Sequence, residues 1–240
     1  MEPMEEFLDQ NAREFGFSYG LQDTSAVATC LNVQGDAWAT LVLAEAETAD
    51  FAQLPIQKRK IEWLSGRIAA KKAFAQHMAT ANPGHTFPEI AVLNGRNRAP
   101  FILGYPDLTL SISHSSAHAV AVVAPFHIGV DIERIEPRPL TLADYFCCPE
   151  ERGVIERECQ LPDQKDATIT WFWSRKEAVA KFLRLGGGLD FKHINTVDEY
   201  VCVREVSGER IRLISKNCAG YCISLALRPG SITVGNHGRE

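Results

Sequence analysis

The chain has 240 residues, 45% of them hydrophobic and 23% charged, with 25 Lys+Arg against 30 Asp+Glu and a formal net charge of −5. That balance excludes disordered, collagenous and coiled-coil chains, and the length suits one large or two small domains that need no disulfide staples. The negative total argues against bulk binding of nucleic acid or of an anionic membrane, while leaving room for a local basic site.

The N-terminus, Met-Glu-Pro-Met-Glu-Glu, has neither the positive start nor the apolar core of a secretory signal. No role is assigned to residues 1–20. Residues 37–44, Ala-Trp-Ala-Thr-Leu-Val-Leu-Ala, are predicted as a strand. Residues 54–78 are predicted as one long helix, with Ile61, Leu64, Ile68 and Phe74 as its apolar stripe. That helix carries a basic cluster, Lys58, Arg59, Lys60, Arg67, Lys71 and Lys72, against the single acid Glu62. Pro83-Gly84 marks a loop. Gly95 to Pro100 forms a polar turn that offers Arg96 and Arg98 to an anion. Residues 108–112 alternate as a half-buried strand, and 117–124 form a buried one.

The hexapeptide Ile128-Gly129-Val130-Asp131-Ile132-Glu133 alternates strictly. In a strand, Ile128, Val130 and Ile132 face one way, into a core, and Gly129, Asp131 and Glu133 face the other. Two like charges that close repel unless a cation lies between them, and Mg²⁺ suits one or two carboxylates plus substrate phosphates. Helices are predicted near 149–159 and 167–185, the second stopped by Gly186-Gly187-Gly188. On the latter, Glu177 and Lys181 lie at i, i+4 and share a face, with Lys176 beside them. Strands follow at 200–205, 210–215, 221–227 and 231–235. The elements sum to an α+β class in two similar halves, 1–126 and 127–240, joined near Pro125.

No apolar run approaches the roughly 18 residues of a membrane span. The seven cysteines (30, 147, 148, 159, 202, 218 and 222) are odd in number and lack a CxxC pair. Structural zinc is therefore not expected, and reduced thiols in the cytoplasm are. Ser113-His114 does not suit nucleophilic catalysis, because adjacent strand side chains point to opposite faces and no Gly-x-Ser-x-Gly elbow is present. Three acids and two lysines make up the parts of metal-assisted phosphoryl transfer. A nuclease or phosphohydrolase with the same acids, and a non-catalytic protein-binding module, are the other functions these residues allow.

These segments, in this order, resemble the 4′-phosphopantetheinyl transferases of the surfactin-synthetase type, the long single-chain class with two pseudo-symmetric halves. The resemblance rests on Glu62-Trp-Leu-Ser-Gly-Arg67-Ile-Ala-Ala-Lys71, Ser113-His114-Ser115, Gly129-Val-Asp131-Ile-Glu133 and Trp173-Ser-Arg-Lys176-Glu177-Ala-Val-Ala-Lys181, over about residues 58–185. It implies a fold of two halves, each a long helix on a small, mainly antiparallel sheet. The implied reaction moves the phosphopantetheine arm of coenzyme A to a serine of an apo acyl or peptidyl carrier protein, releasing adenosine 3′,5′-bisphosphate.

By the same resemblance, Asp131, Glu133 and Glu177 hold Mg²⁺, or Mn²⁺ in its place. Lys176 and Lys181 contact the diphosphate, Ser113 and His114 contact coenzyme A, and Arg67 and Lys71, with Lys58 to Lys60 nearby, clamp its 3′-phosphate end. Arg98 stands near the lysine of the family's Gly-Lys-Pro, which this chain replaces with Arg98-Ala99-Pro100. The general base falls to Glu150 or Glu151, with Glu150 preferred, and Glu177 and Lys181 complete the catalytic set. A cytoplasmic monomer serving fatty acid, polyketide or nonribosomal peptide synthesis is expected, the residues 1–126 forming the coenzyme A clamp and 127–240 carrying the metal carboxylates.

Overall fold

The computed structural model describes residues 2–79, 84–158, 161–203 and 210–228. The chain opens with helix α1 (Glu2–Phe15), then strand β1 (Ser18–Asp23), α2 (Thr24–Gln34), α3 (Glu45–Ala52) and the long α4 (Gln57–Met78). Next come β2 (Val92–Asn94), β3 (Pro100–Ile102), β4 (Thr109–Ser115), β5 (His118–Ala124) and β6 (Ile128–Arg134). Helices α5 (Leu140–Phe146), α6 (Pro149–Glu158) and α7 (Pro162–Leu183) follow, and β7 (Tyr200–Cys202), β8 (Arg210–Cys218) and β9 (Tyr221–Leu227) end the described part.

Two antiparallel sheets carry the fold, ordered β1-β5-β4 and β6-β9-β8-β7, beside a β2-β3 hairpin. Helix α4 lies on the first sheet and α7 on the second. The two sides of β5 face different cores. On β5, Ala119, Ala121 and Val123 pack under α4, while Val120, Val122 and Ala124 turn to a second core on the far side. Ile128, Val130 and Ile132 of β6 join that second core, as the alternation predicts. Over it lies α1, whose Met4, Phe7, Leu8 and Phe15 recur at helical spacing and close both sheets from behind.

The α+β class with small antiparallel sheets is what the structure has, but several elements differ from expectation. Residues 37–44 are not a strand: Gly35–Leu41 is a 3₁₀ helix. Ala39, Val42 and Leu43 do bury their side chains against α2 and α4, but through tight turns in which the Val42 and Leu43 N–H groups both return to the Ala39 carbonyl. Burial of a short apolar run is satisfied by either geometry, and among the described residues no strand pairs with this segment. α4 buries far more than one stripe, because Ser65, Gly66, Ala69, Ala70 and Ala73 let neighbours approach on several sides. α7 begins earlier than expected, with Pro162 in its first turn. The strand expected at 231–235 lies outside the described residues. Among the described residues, no helix is long and apolar enough to cross a membrane.

Candidate active site

Gly129 determines how closely α7 approaches β6. A Cβ there would lie 2.1 Å from the Ala178 carbonyl oxygen and 2.6 Å from the Phe182 nitrogen. Only glycine permits that contact, and it brings the half-buried Trp173–Glu177–Lys181 face of α7 over the next residues of β6. Lys181 Nζ then donates to Asp131 Oδ1 at 2.7 Å, and Ser113 Oγ donates to the same oxygen at 2.8 Å. Asp131 is buried, and its other oxygen, Oδ2, has no hydrogen-bond partner. Glu133 accepts from Trp173 Nε1 at 2.9 Å and from Ser115 Oγ at 3.2 Å, with the Arg138 guanidinium 3.6 Å away.

Glu177 completes the cluster from the helix side. Burial pushes its pKa above the ordinary glutamate value, and the Asp131 and Glu133 carboxylates push the same way against the opposing pull of Lys181. Glu133 is raised too, by burial first and by Asp131 next, against Trp173, Arg138 and Ser115. Three acids thus feel one another across the β6–α7 junction. They are not drawn into a finished cage, since no three acidic, His or Cys groups among the described residues stand close enough to hold a metal ion. The donor chemistry nevertheless fits a hard cation. An orphaned buried carboxylate oxygen and mutually repelled glutamates are what such an ion relieves, and the Lys181 ammonium supplies part of that relief to Asp131.

Beside the cluster, a cavity of about 480 Å³ opens between the sheets. Glu177, Lys181 and Trp173 line one side, Leu110 and Ile112 of β4 another, and Arg98 and Pro100 its rim. The far rim is tied across the seam: Asn97 Nδ2 donates to the Arg184 carbonyl at 3.2 Å, and an Arg184 N–H donates to the Pro100 carbonyl at 3.0 Å. A second groove of about 270 Å³ is lined by Arg59, Glu62, Trp63, Arg67, Asn94 and His114. His114 is exposed there, and desolvation pushes its pKa down, with Glu62 the largest opposing influence.

Asp131 and Lys181 are therefore in contact, and Glu133 and Glu177 lie within electrostatic reach of Asp131. Lys176 is not. Its ammonium is fully buried, 2.8 Å from Glu151, and donates to the carbonyls of Phe191 and Ile194. An ammonium has three donors, so none remains for a diphosphate. Lys71 is corrected on the same ground: it is fully buried, 2.5 Å from Glu47, and donates to the carbonyls of Val42 and Phe87. Arg67 lines the second groove but is no free clamp. It is buried, stacked 4.4 Å over the Trp63 ring and 3.5 Å from Glu47. Lys58 and Arg59 lean on Glu62, and Lys60 on Asp36. Ser113 already accepts from the Ile132 amide and donates to Asp131, so its hydroxyl is not turned to a ligand.

Arg98 is exposed at the cavity rim, its backbone in the left-handed region with φ 59°. Glu150 is exposed in the first turn of α6, and hydrogen bonds from its own backbone and Cys148 push its pKa down. Glu151 is removed as a base, because it is fully buried and spent on Lys176, Thr196 and the Cys148 amide. Sequence reasoning missed Ser115, Trp173 and Arg138 as holders of Glu133. The signal for Ser115 lay in the alternation of Ser111, Ser113 and Ser115, which matches that of Gly129, Asp131 and Glu133.

Residues 127–226 match the family model of the 4′-phosphopantetheinyl transferase superfamily. Residues 47–124 match the model of the 4′-phosphopantetheinyl transferase N-terminal domain. A holo-[acyl-carrier-protein] synthase of Oceanobacillus iheyensis is 41% identical over 86 residues, 34% of this chain and 71% of that protein. A 4′-phosphopantetheinyl transferase of Bacillus subtilis is 34% identical over 90 residues, 38% of each chain. A holo-(acyl-carrier-protein) synthase structure from Bacillus anthracis, in complex with CoA (3′,5′-ADP), is 26% identical with a TM-score of 0.38, covering 45% of this chain and 91% of that one.

Proposed function

Since this chain belongs to the 4′-phosphopantetheinyl transferase superfamily, in its longer surfactin-synthetase-type class, and is an enzyme of that family, we propose that it transfers the phosphopantetheine arm of coenzyme A to a serine of an apo acyl or peptidyl carrier protein. Adenosine 3′,5′-bisphosphate is the other product. The observation that carries this reading is the Asp131–Lys181 contact at 2.7 Å, with Glu133 and Glu177 close by, at the mouth of a cavity between the two sheets. It sets a cation against carboxylates where a diphosphate can enter.

In this reading Asp131, Glu133 and Glu177 hold a divalent cation, Mg²⁺ or Mn²⁺, and the unpartnered Asp131 Oδ2 supports that assignment. Such an ion, when bound, polarises the diphosphate. Lys181 neutralises charge that builds on the leaving bisphosphate. In the same reading His114 meets the nucleotide end of coenzyme A in the second groove, where Arg67, held by Trp63 and Glu47, forms part of the wall, and Arg98 meets the arm at the cavity rim. Glu150, ionised and exposed, is the acid of its pair that can still take the carrier serine's proton as the hydroxyl attacks the β-phosphorus. Residues 1–126 form the coenzyme A side and 127–240 the carboxylate side of a monomer. Carriers of fatty acid, polyketide or nonribosomal peptide synthesis are the substrate class.

Incubation of the chain with coenzyme A, Mg²⁺ and an apo carrier protein tests the proposal, with intact mass as the readout. The expected result is a carrier heavier by one phosphopantetheine, and its loss in Asp131→Ala with circular dichroism unchanged. Cleavage of coenzyme A while the carrier stays unmodified would replace the transferase by a phosphohydrolase. Near-normal holo-carrier formation by Asp131→Ala would remove the cluster from the mechanism.

A further inference from the structure

Strands β4 and β6 are each the edge of a sheet, and they face each other at the seam. They do not pair backbone to backbone. Three serine hydroxyls of β4 take the outward amides of β6 instead: Ser111 Oγ accepts from Val130 at 3.0 Å, Ser113 Oγ from Ile132 at 3.3 Å and Ser115 Oγ from Arg134 at 3.0 Å. An amide N–H can only donate, so each hydroxyl must accept and keeps its own proton to give away.

Two of those protons have a fixed destination. Ser113 gives its proton to Asp131 and Ser115 to Glu133. The rule repeats along the seam, each serine accepting from one β6 residue and donating to the side chain just before it. At Ser111 the residue in that place is Gly129, which has no side chain to receive a proton.

We propose that Ser113 and Ser115 are positioning residues, and that this hydroxyl ladder couples the joint between the two sheets to the orientation of the site carboxylates. The ladder satisfies amides that would otherwise be orphaned at a buried edge, and with the same hydroxyls it holds one oxygen of each acid. Asp131 Oδ2 is left without a hydrogen-bond partner. The catalytic part of the inference rests on the transferase reading, whereas the ladder itself does not.

Ser113→Ala and Ser113→Thr separate the two. Threonine keeps the hydroxyl and suits a strand. In Ser113→Ala the Ile132 amide is expected to exchange with deuterium about tenfold faster by NMR, which corresponds to losing one hydrogen bond. Its kcat for carrier modification is expected to fall by about tenfold or more, with KM for coenzyme A within about threefold of the wild-type value. Ser113→Thr is expected to restore both. Ser115→Ala, nearer the surface, is expected to show the same pattern at the Arg134 amide, and it carries the test if Ser113→Ala does not fold.

Unchanged exchange at Ile132 in Ser113→Ala overturns the ladder. Faster exchange with unchanged kcat overturns the positioning role. A raised KM for coenzyme A with unchanged kcat also overturns it, in favour of a direct ligand contact. If the wild-type chain modifies no carrier, the transferase reading fails, and the exchange arm still decides the ladder.

Discussion

Lys71 and Lys176 each give up all contact with water, and each places its ammonium on one glutamate and two backbone carbonyls. The glutamates do double duty, since Glu47 also accepts the Ala44 amide and Glu151 the Cys148 amide at the starts of their helices. Removing one partner strands a buried charge. Lys176→Met is therefore expected to cost about 3–5 kcal/mol in urea unfolding, with much of it regained in the double variant that also carries Glu151→Leu. A phosphate-gripping lysine would instead show its loss in KM for coenzyme A, with little change in stability.

Glu177 gives a second test at this scale. Its folded pKa lies above the ordinary glutamate value of 4.5. The folded state thus binds a proton more tightly than the unfolded chain, and stability falls as pH rises through that window. Glu177→Gln removes the penalty. Its Tm at pH 7 is expected to exceed that of the wild-type chain by about 2–4 °C for each kcal/mol relieved, and scanning calorimetry should show the gap closing as pH falls toward 4.5. A gap that persists in acid would mean the charge is not its cause.

One device serves both helix–strand pairs. Gly20 of β1 meets the Ala69 carbonyl and Gly129 of β6 meets the Ala178 carbonyl, each 2.1 Å from where a Cβ would stand. In both, a lysine of the helix then reaches the strand residue two places on: Lys72 donates to Gln22 at 2.8 Å, and Lys181 to Asp131 at 2.7 Å. The first pair ends on a neutral amide and the second on a carboxylate, so only the second sets an acid against the helix lysine. Gly129→Ala would have to push α7 off β6. A cost of about 1–3 kcal/mol or more is expected, with carrier modification lost because Glu177 and Lys181 ride on that helix. Urea titration with a transfer assay checks both parts. A variant with wild-type stability and activity would refute the close approach. The glycine–acid alternation was open to sequence reasoning because a strand's period is local. The partner that the glycine accommodates was not, since Ala178 lies some fifty residues away.

The molecule as a whole is joined by more than the seam. The core behind the sheets takes Val120 and Val122 from β5, Val130 and Ile132 from β6, Ile223 and Leu225 from β9, and Met4, Phe7 and Leu8 from α1. Neither sheet can melt without exposing this shared surface. Leu8→Ala is expected to cost about 2–5 kcal/mol, although Leu8 is not itself a site residue. Tryptophan fluorescence and far-ultraviolet circular dichroism should report one coincident transition in denaturant. Two separated transitions would mean the sheets unfold independently. Residues 1–20 carried no assignment from sequence, although Met4, Phe7, Leu8 and Phe15 sit at helical spacing. Their importance comes from the two-sheet surface they cover, which no local pattern displays.

By itself the sequence determined the features whose physics is local. The two-residue period of Ile128 to Glu133 separated core from carboxylates, and the spacing of Glu177 and Lys181 put them on one helix face. The same geometry already turns Lys176 about 140° from Lys181, at about 100° per residue. Which of the two lysines meets the acids depended on where α7 lies, with Lys181 over β6 and Lys176 against Glu151. Tertiary structure likewise decided that Lys71 is a buried partner of Glu47, that Arg67 is sheathed by Trp63, and that three serines splice two sheet edges. A charged or hydroxyl side chain has the same local signature in water as in a core. Only the groups that fold against it settle whether it is left free for a ligand or consumed by the protein.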